Sequence, residues 1–281
     1  DQTGSVTEDA STTTVSNTVQ SSDPDTDDTL SYSMSNSGAG TYGTLTMSGA
    51  TWTYTLNNND ADTTALDAGD APTEVFTITV TDDGTGTLSD TMTVTITVNG
   101  ANDAPSAGSD QTGGVTEDAS TTTATGTVSG SDDDASSSLT YTPDSTSGTY
   151  GSFAMSGAAW TYTLDNSDAD TTALDARDAP TETFTVTVSD GTASDTMTVT
   201  ITVTGANDAP SAGSDQTASL TEDASTSTAS DTVGSSDADA SASLTYTPSN
   251  SGSGTYGSIA FSGATWTYTL DNSDSDTDAL A

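Results

Sequence analysis

Apolar and polar residues alternate strictly along much of this chain. In "ETFTVTVSD", Phe184, Val186 and Val188 fall on one face and threonines on the other. "TMTVTITV" places Met197, Val199, Ile201 and Val203 in the same way, Trp160, Tyr162 and Leu164 form a third stripe, and Phe153 with Met155 a fourth. A period of two is the signature of a half-buried strand. Threonine suits the outer face, because it is β-branched yet compatible with water. Clusters of Gly, Asp and Ser separate the runs and supply the turns.

The pattern recurs. "VTEDAST" at 6–12 returns at 115–121 and, as "LTEDAST", at 220–226; "GTYG" begins at Gly40, Gly148 and Gly254, and "WTYTL" at Trp52, Trp160 and Trp266. Internal repetition at this period indicates tandem domains. The chain divides into 1–104, 105–209 and 210–281, each unit predicted to be a β-sandwich of short strands. The third unit has nothing matching residues 179–214, the last two strands of a unit. Open sheet edges pair readily with other chains. We therefore expect either a continuation beyond Ala281 or strands donated by a neighbouring subunit in a fibre.

The repeated Trp and Tyr admit two readings. They could form a sugar-stacking platform, but their alternation with Leu164 predicts core packing.

Charge changes the picture most. There are 42 acidic residues against one basic residue, Arg177, and no histidine, for a formal net charge of -41. Such a surface repels nucleic acid phosphates and anionic lipid headgroups, which argues against both as partners. It attracts cations. No cysteine is present, so disulfides cannot staple the units. No apolar run approaches the roughly 18 residues of a membrane span. Residue 1 opens on polar strand-like sequence without a signal peptide, as expected of an internal piece of something longer.

Strand parity gives each acid an address. If a unit holds seven strands that alternate in direction, odd loops lie at one end and even loops at the other. Glu117, Asp175, Asp178 and Asp208 then share the bottom of the second unit, while Asp132, Asp134 and Asp190 share its top. The "GANDAP" segments at 100–105 and 205–210 lie between the bottom of one unit and the top of the next. The first joint would gather Glu8, Asp67 and Asp70, then Asn102 and Asp103, then Asp132, Asp134 and Asp190. The second would gather Glu117, Asp175, Asp178, Asn207, Asp208, Asp237 and Asp239, with no counterpart of Asp190.

Two like charges ~4 Å apart cost about 4 kcal/mol at an effective dielectric of 20. A cation must relieve such clusters. Without His or Cys the usual zinc, copper and iron sites are excluded. Carboxylates, amides and carbonyls are hard oxygen donors, of which calcium accepts six to eight in tolerant geometry, whereas magnesium needs a stricter octahedron. Calcium (Ca2+) is the expected ion. The bland alternative is that Asp and Asn sit in these loops for turn chemistry alone; "NNNDADTTALD" at 57–67 fits that reading.

"GTYGSFAMSGAAWTYTLDN", "TFTVTVSDGTASDTMTVTITVTGANDAP" and the acidic "SDPDTDD" or "SDADA" loop resemble, in order, the landmarks of the VCBS repeat family of very large bacterial surface and adhesion proteins. The chain is also similar to the wider cadherin-like group. These resemblances cover essentially the whole chain and imply an all-β fold: tandem Ig-like, cadherin-like Greek-key sandwiches arranged end to end. The cadherin-like resemblance implies calcium at the joints through the Asn-Asp linker, the Asp-x-Asp loop and the "LD" turn, here Asn102, Asp103, Asp132, Asp134 and Asp67 with their counterparts. Two positions depart from it. The acid two places after the "LD" aspartate is Gly69 in the first unit and Arg177 in the second. Asp70 or Asp178 must then substitute, and Arg177 would weaken a cation site unless it pairs with Asp178.

The leading expectation is an extracellular, calcium-stiffened spacer or filament shaft. Each sandwich with its joint would span ~40 Å, and extracellular modules bind calcium at about 0.1–1 mM. A glycan- or cell-binding adhesin module is the alternative, disfavoured by the near-identity of the units. Catalysis has little to work with: no His or Cys serves a nucleophilic triad, and the aromatics expected around a carboxylate-pair glycosidase cleft are committed to the core.

Overall fold

The computed structural model describes residues 1–280. In the first unit the period-two runs become β1 (Gln2–Thr7), β2 (Thr14–Thr18), β3 (Ser31–Met34), β4 (Gly43–Ser48), β5 (Thr51–Leu56), β6 (Thr73–Thr81) and β7 (Ser89–Asn99). They form one sheet ordered β1-β7-β6-β3 and another ordered β2-β5-β4. Every pairing is antiparallel except β1 with β7. A parallel first and last strand is what seven strands of alternating direction require.

The second unit repeats the plan with β9 (Gln111–Thr116), β10 (Thr123–Thr127), β12 (Thr140–Pro143), β13 (Gly151–Ser156), β14 (Ala159–Leu164), β15 (Thr181–Ser189) and β16 (Ser194–Thr204), in sheets β12-β15-β16-β9 and β10-β14-β13. Ahead of them β8 (Ser106–Ala107) pairs with β11 (Gly130–Ser131). The latter half of the "APSAGS" linker is therefore already part of the second unit, and the pivot shrinks to the residues before Ser106. The third unit repeats this ladder with β17 (Ser211–Ala212) and β19 (Ser235–Ser236). It then forms one sheet from β18 (Thr228–Thr232), β21 (Thr265–Leu270) and β20 (Gly257–Ser262), ordered β18-β21-β20.

The alternating apolar faces close on each other between the two sheets. Trp52 and Tyr54 are completely buried against Ile78, Val94 and Ile96 in the first unit, and Trp160 and Tyr162 against Val186, Val199 and Ile201 in the second. The tryptophans are core residues; truncating either would cost about 3–5 kcal/mol.

One buried charge in each core escaped the sequence reading. Glu182, on β15, accepts hydrogen bonds from the Thr149 amide, the Tyr150 amide at 3.1 Å and the Tyr162 hydroxyl at 2.5 Å. Glu74 does the same with the amides of Thr41 and Tyr42 and the hydroxyl of Tyr54. A buried carboxylate persists where donors satisfy it. This clasp ties the β6 or β15 strand of one sheet to the "GTYG" loop and the tyrosine strand of the other. A side chain at Gly40 or Gly148 would place its Cβ 2.4 Å from that carboxylate, so a larger residue there would push the glutamate out of its clasp. Burial, then the Glu182 carboxylate, raises the Tyr162 pKa, and Tyr54 responds to Glu74 in the same way.

Candidate metal centres

The bottom of the first unit and the top of the second meet around the first linker. Glu8 follows β1 and is 2% exposed, and its Oε2 accepts the Ala101 amide at 3.1 Å. The Asp103 amide donates across the joint to Asp134 Oδ2 at 3.0 Å, and the Asp134 amide donates to Asp132 Oδ1 at 3.0 Å. Asn102 Nδ2 reaches Asp190 Oδ2 at 2.9 Å. Asp67 accepts from the Ser136 hydroxyl, and the Ala135 amide donates to the Ala65 carbonyl at 3.3 Å. Glu8, Asp67, Asn102, Asp103, Asp132, Asp134 and Asp190 therefore belong to one network. Asp70 stands exposed outside it.

The second joint reproduces most of this. Glu117 Oε2 accepts the Ala206 amide at 2.9 Å, Asp239 Oδ2 the Asp208 amide at 3.1 Å, and Asp237 Oδ1 the Asp239 amide at 3.1 Å. Asp175 accepts from the Ser241 hydroxyl. Asn207 Nδ2 turns to the Asp208 carbonyl at 2.6 Å. Asp178, instead of joining the cluster or meeting Arg177, caps its own turn by accepting the Asp175 amide at 3.0 Å. Arg177 is exposed.

How the carboxylates divide their oxygens bears directly on a cation. Glu8 Oε1, Asp132 Oδ2, Asp134 Oδ1 and Asp239 Oδ1 are buried and without a hydrogen-bond partner. In each of these residues the other oxygen holds a loop or linker amide. A buried acceptor left unpaired carries a desolvation cost of about 1–3 kcal/mol, more when charged. Among the described residues these four are the unpaired buried carboxylate oxygens, all within the two joints, and they fit an oxygen-loving divalent ion.

The electrostatics agree. Burial, then the negative charges of Asp9, Asp134 and Asp133, pushes the Asp103 carboxyl up to about 6. Glu8 and Asp134 are also raised, chiefly by burial. In the second joint Glu117 and Asp208 are raised, again by burial first and then by neighbouring aspartates. Asp190 moves the other way, because the amides of Ala193 and Thr192 and the Asn102 side chain stabilise its charge.

The sequence reading missed Asp9 and Asp118. Each follows the buried glutamate in a left-handed conformation, φ 52° and 54°, and each raises the neighbouring linker aspartate. The recurrent Glu-Asp doublet in "VTEDAST" was the available signal. Among the described residues, the one acidic trio whose ligand oxygens all lie within 4.8 Å of one another is Asp23, Asp25 and Asp28, at the top of the first unit. The acids of 57–67 divide as turn chemistry predicts: Asp60 Oδ1 accepts the Asp62 amide at 3.0 Å and caps the short helical turn Ala61–Thr64.

The bacterial cadherin-like domain model matches residues 1–100 and again 102–205. The chain belongs to that family. Bacterial cadherin-like domains, like cadherin domains in general, typically act outside the cell as adhesive or structural repeats and generally bind calcium. Among solved structures, mouse Cadherin-23 EC22-24 matches at 18% identity and TM-score 0.54, over 96% of this chain and 85% of that one. Protocadherin Gamma B7 extracellular cadherin domains 1-4 match at 17% identity and TM-score 0.52, over 98% of this chain and 67% of that one. At those identities the likeness is one of fold. A third match, mouse clustered PcdhgC3 EC1-3 at 19% identity and TM-score 0.43, covers 73% of this chain, which spans 65% of that one's length. No curated protein matches the bacterial cadherin-like chain by sequence.

Proposed function

We propose that these bacterial cadherin-like repeats form a calcium-rigidified spacer or filament shaft in a large bacterial surface or adhesion protein, of the VCBS type that the "WTYTL" and "GANDAP" segments resemble. The units would be bounded at 1–104, 105–209 and 210–281. The observation that carries the reading is the divided use of the joint carboxylates, one oxygen anchoring the linker and the other buried and unpaired. Calcium bound by Glu8, Asp67, Asp103, Asp132, Asp134 and Asp190 would neutralise a repulsive gap and tie two sandwiches to one linker. Glu117, Asp175, Asp208, Asp237 and Asp239 would do so at the second joint.

The chain's own residues set the mechanism. The β8–β11 ladder leaves only a short pivot, and Asp103 and Asp134, which would help to hold calcium, lie on either side of it, so their shared ion would remove the remaining freedom. Partners on this reading are further copies of the repeat, joined end to end, with a neighbouring subunit able to donate strands to the third unit. The glycan-binding alternative loses support from the burial of Trp52 and Trp160, which leaves those rings no platform. Isothermal titration of the chain with calcium tests the proposal. Binding at about 0.1–1 mM is expected, removed from the first joint by Asp134→Ala; absence of heat, or heat unchanged by that substitution, contradicts it.

A further inference from the structure

Each complete sandwich begins and ends on neighbouring strands of one sheet. β1 runs parallel to β7 from the Gln2–Val94 pair to Thr7–Asn99, and β9 parallel to β16 from Gln111–Val199 to Thr116–Thr204. The chain enters a unit through the first of these strands and leaves through the second. Tension along the chain therefore draws two parallel neighbours in opposite directions, and it loads the evenly spaced hydrogen bonds of the ladder together instead of one at a time. β8 lies upstream of β9 and pairs through two residues only, so it carries little of this load.

The two ladders are equally long but unequally fastened. In the first unit Asn99 Nδ2 crosses to β1 and donates to the Ser5 hydroxyl at 2.9 Å and the Val6 carbonyl at 3.0 Å; the second unit has Thr204 at this position. Gln2 pins the other end of β1 to the facing sheet, accepting from the Trp52 indole N–H and donating to the Thr18 carbonyl at 2.8 Å. Gln216 makes the same two bonds, with Trp266 and Thr232. Gln111 does not. It turns to the Ser109 carbonyl at 3.1 Å, and the Trp160 indole nitrogen is buried without a partner. A buried donor left unpaired weakens the folded state. Lastly, Ser5 is replaced by Gly114 in the second unit, and a glycine inside a strand gives up more chain entropy on folding and packs no side chain.

We infer that the second unit is a tension-yielding element: under load β9 shears from β16 and that sandwich extends, while the first, whose β1 is pinned by Gln2 and Asn99, stays folded. A shaft built this way lengthens by one sandwich, roughly 300 Å of released chain, before the load reaches the level that breaks its neighbour. The inference rests on the reading of the chain as a load-bearing shaft. The ranking of the two units holds in calcium and in chelator alike, so its failure is distinguishable from a failure of calcium binding.

The test holds the 281-residue chain at constant force between its termini, in calcium and in chelator. Each complete sandwich is expected to give one extension step, with lifetimes that differ by about tenfold or more. The chain has no cysteine, so an engineered disulfide assigns each step by shielding the segment it closes from the force. Gly114→Cys with Thr202→Cys, register partners on β9 and β16, should remove the shorter-lived step. Thr3→Cys with Thr95→Cys, partners on β1 and β7, should remove the longer-lived one, and reduction should restore each. Asn99→Thr should shorten the first unit's lifetime several-fold. Gly114→Ser, where an added Cβ meets only the Thr202 carbonyl oxygen at 3.6 Å, should lengthen the second's. Equal lifetimes in the unaltered chain in either condition, or loss of the longer-lived step on stapling the second unit, overturns the inference. So do lifetimes that neither Asn99→Thr nor Gly114→Ser changes.

Discussion

The two joints are spelled almost identically and differ chiefly at three places, one of them Asp133, which is Ala238 in the second. In the first, the hairpin turn between β15 and β16 places Asp190 against the linker, and Asn102 crosses 88 positions of sequence to donate to it. In the second no such hairpin acid meets the linker, and Asn207 is exposed and bonds only to its neighbour's carbonyl. The acid-turn position occupied by Gly69 in the first joint is Arg177 in the second. The bottom acids and the Asp-x-Asp loop are shared. The first linker's asparagine is therefore oriented by the last hairpin turn of the following unit, at the end that faces the joint.

If calcium is held by these acids, the largest effect comes from the shared ligands. Asp134→Ala should weaken calcium at the first joint by at least about tenfold, roughly 1.4 kcal/mol, and spare the second; Asp239→Ala should do the reverse. Calorimetry resolving the two sites checks both. A smaller step, Asp190→Ala, should lower the first joint to the affinity of the second and merge the two binding phases. It should also free Asn102, visible as loss of its ordered side-chain amide signal.

The pH dependence in chelator sharpens the contrast further. Because burial and neighbouring aspartates raise the folded Asp103 carboxyl to about 6 from an ordinary 3.8, the docked first joint favours the protonated acid. Its stability is fully present below about pH 4 and lost as pH rises through about 6. Fluorescence energy transfer between dyes on the first and second units should report closure in acid and loosening at neutrality. The smallest effect belongs to Arg177→Ala, which removes an exposed positive charge near the second joint and should tighten calcium there by about twofold, within the modest range of surface charges.

Much of the architecture was legible because it rests on periodicity. The alternation of Phe184, Val186 and Val188 with threonines identified a strand, recurrence of "WTYTL" identified the units, and parity placed Glu117 and Asp134 at opposite ends. The site was legible only in part, since an aspartate in a loop has the same spelling whether it caps a turn or faces a joint. Asp178 and Asp60 cap turns, Asp132 holds its own turn with one oxygen and leaves the other buried and unpaired, and Asp9 depends on a left-handed backbone that its own identity does not dictate. Glu74 and Glu182 hid in polar-looking strand positions because their donors come from a loop more than 30 residues earlier. The "APSAGS" linker reads as free chain, yet the edge of the next unit captures Ser106 and Ala107.

Small-angle scattering of this chain in millimolar calcium and in chelator tests the central claim most directly. The account predicts an extended, narrowly distributed rod with calcium, and a shorter mean dimension with a broad distribution without it. Identical profiles in the two conditions would contradict it.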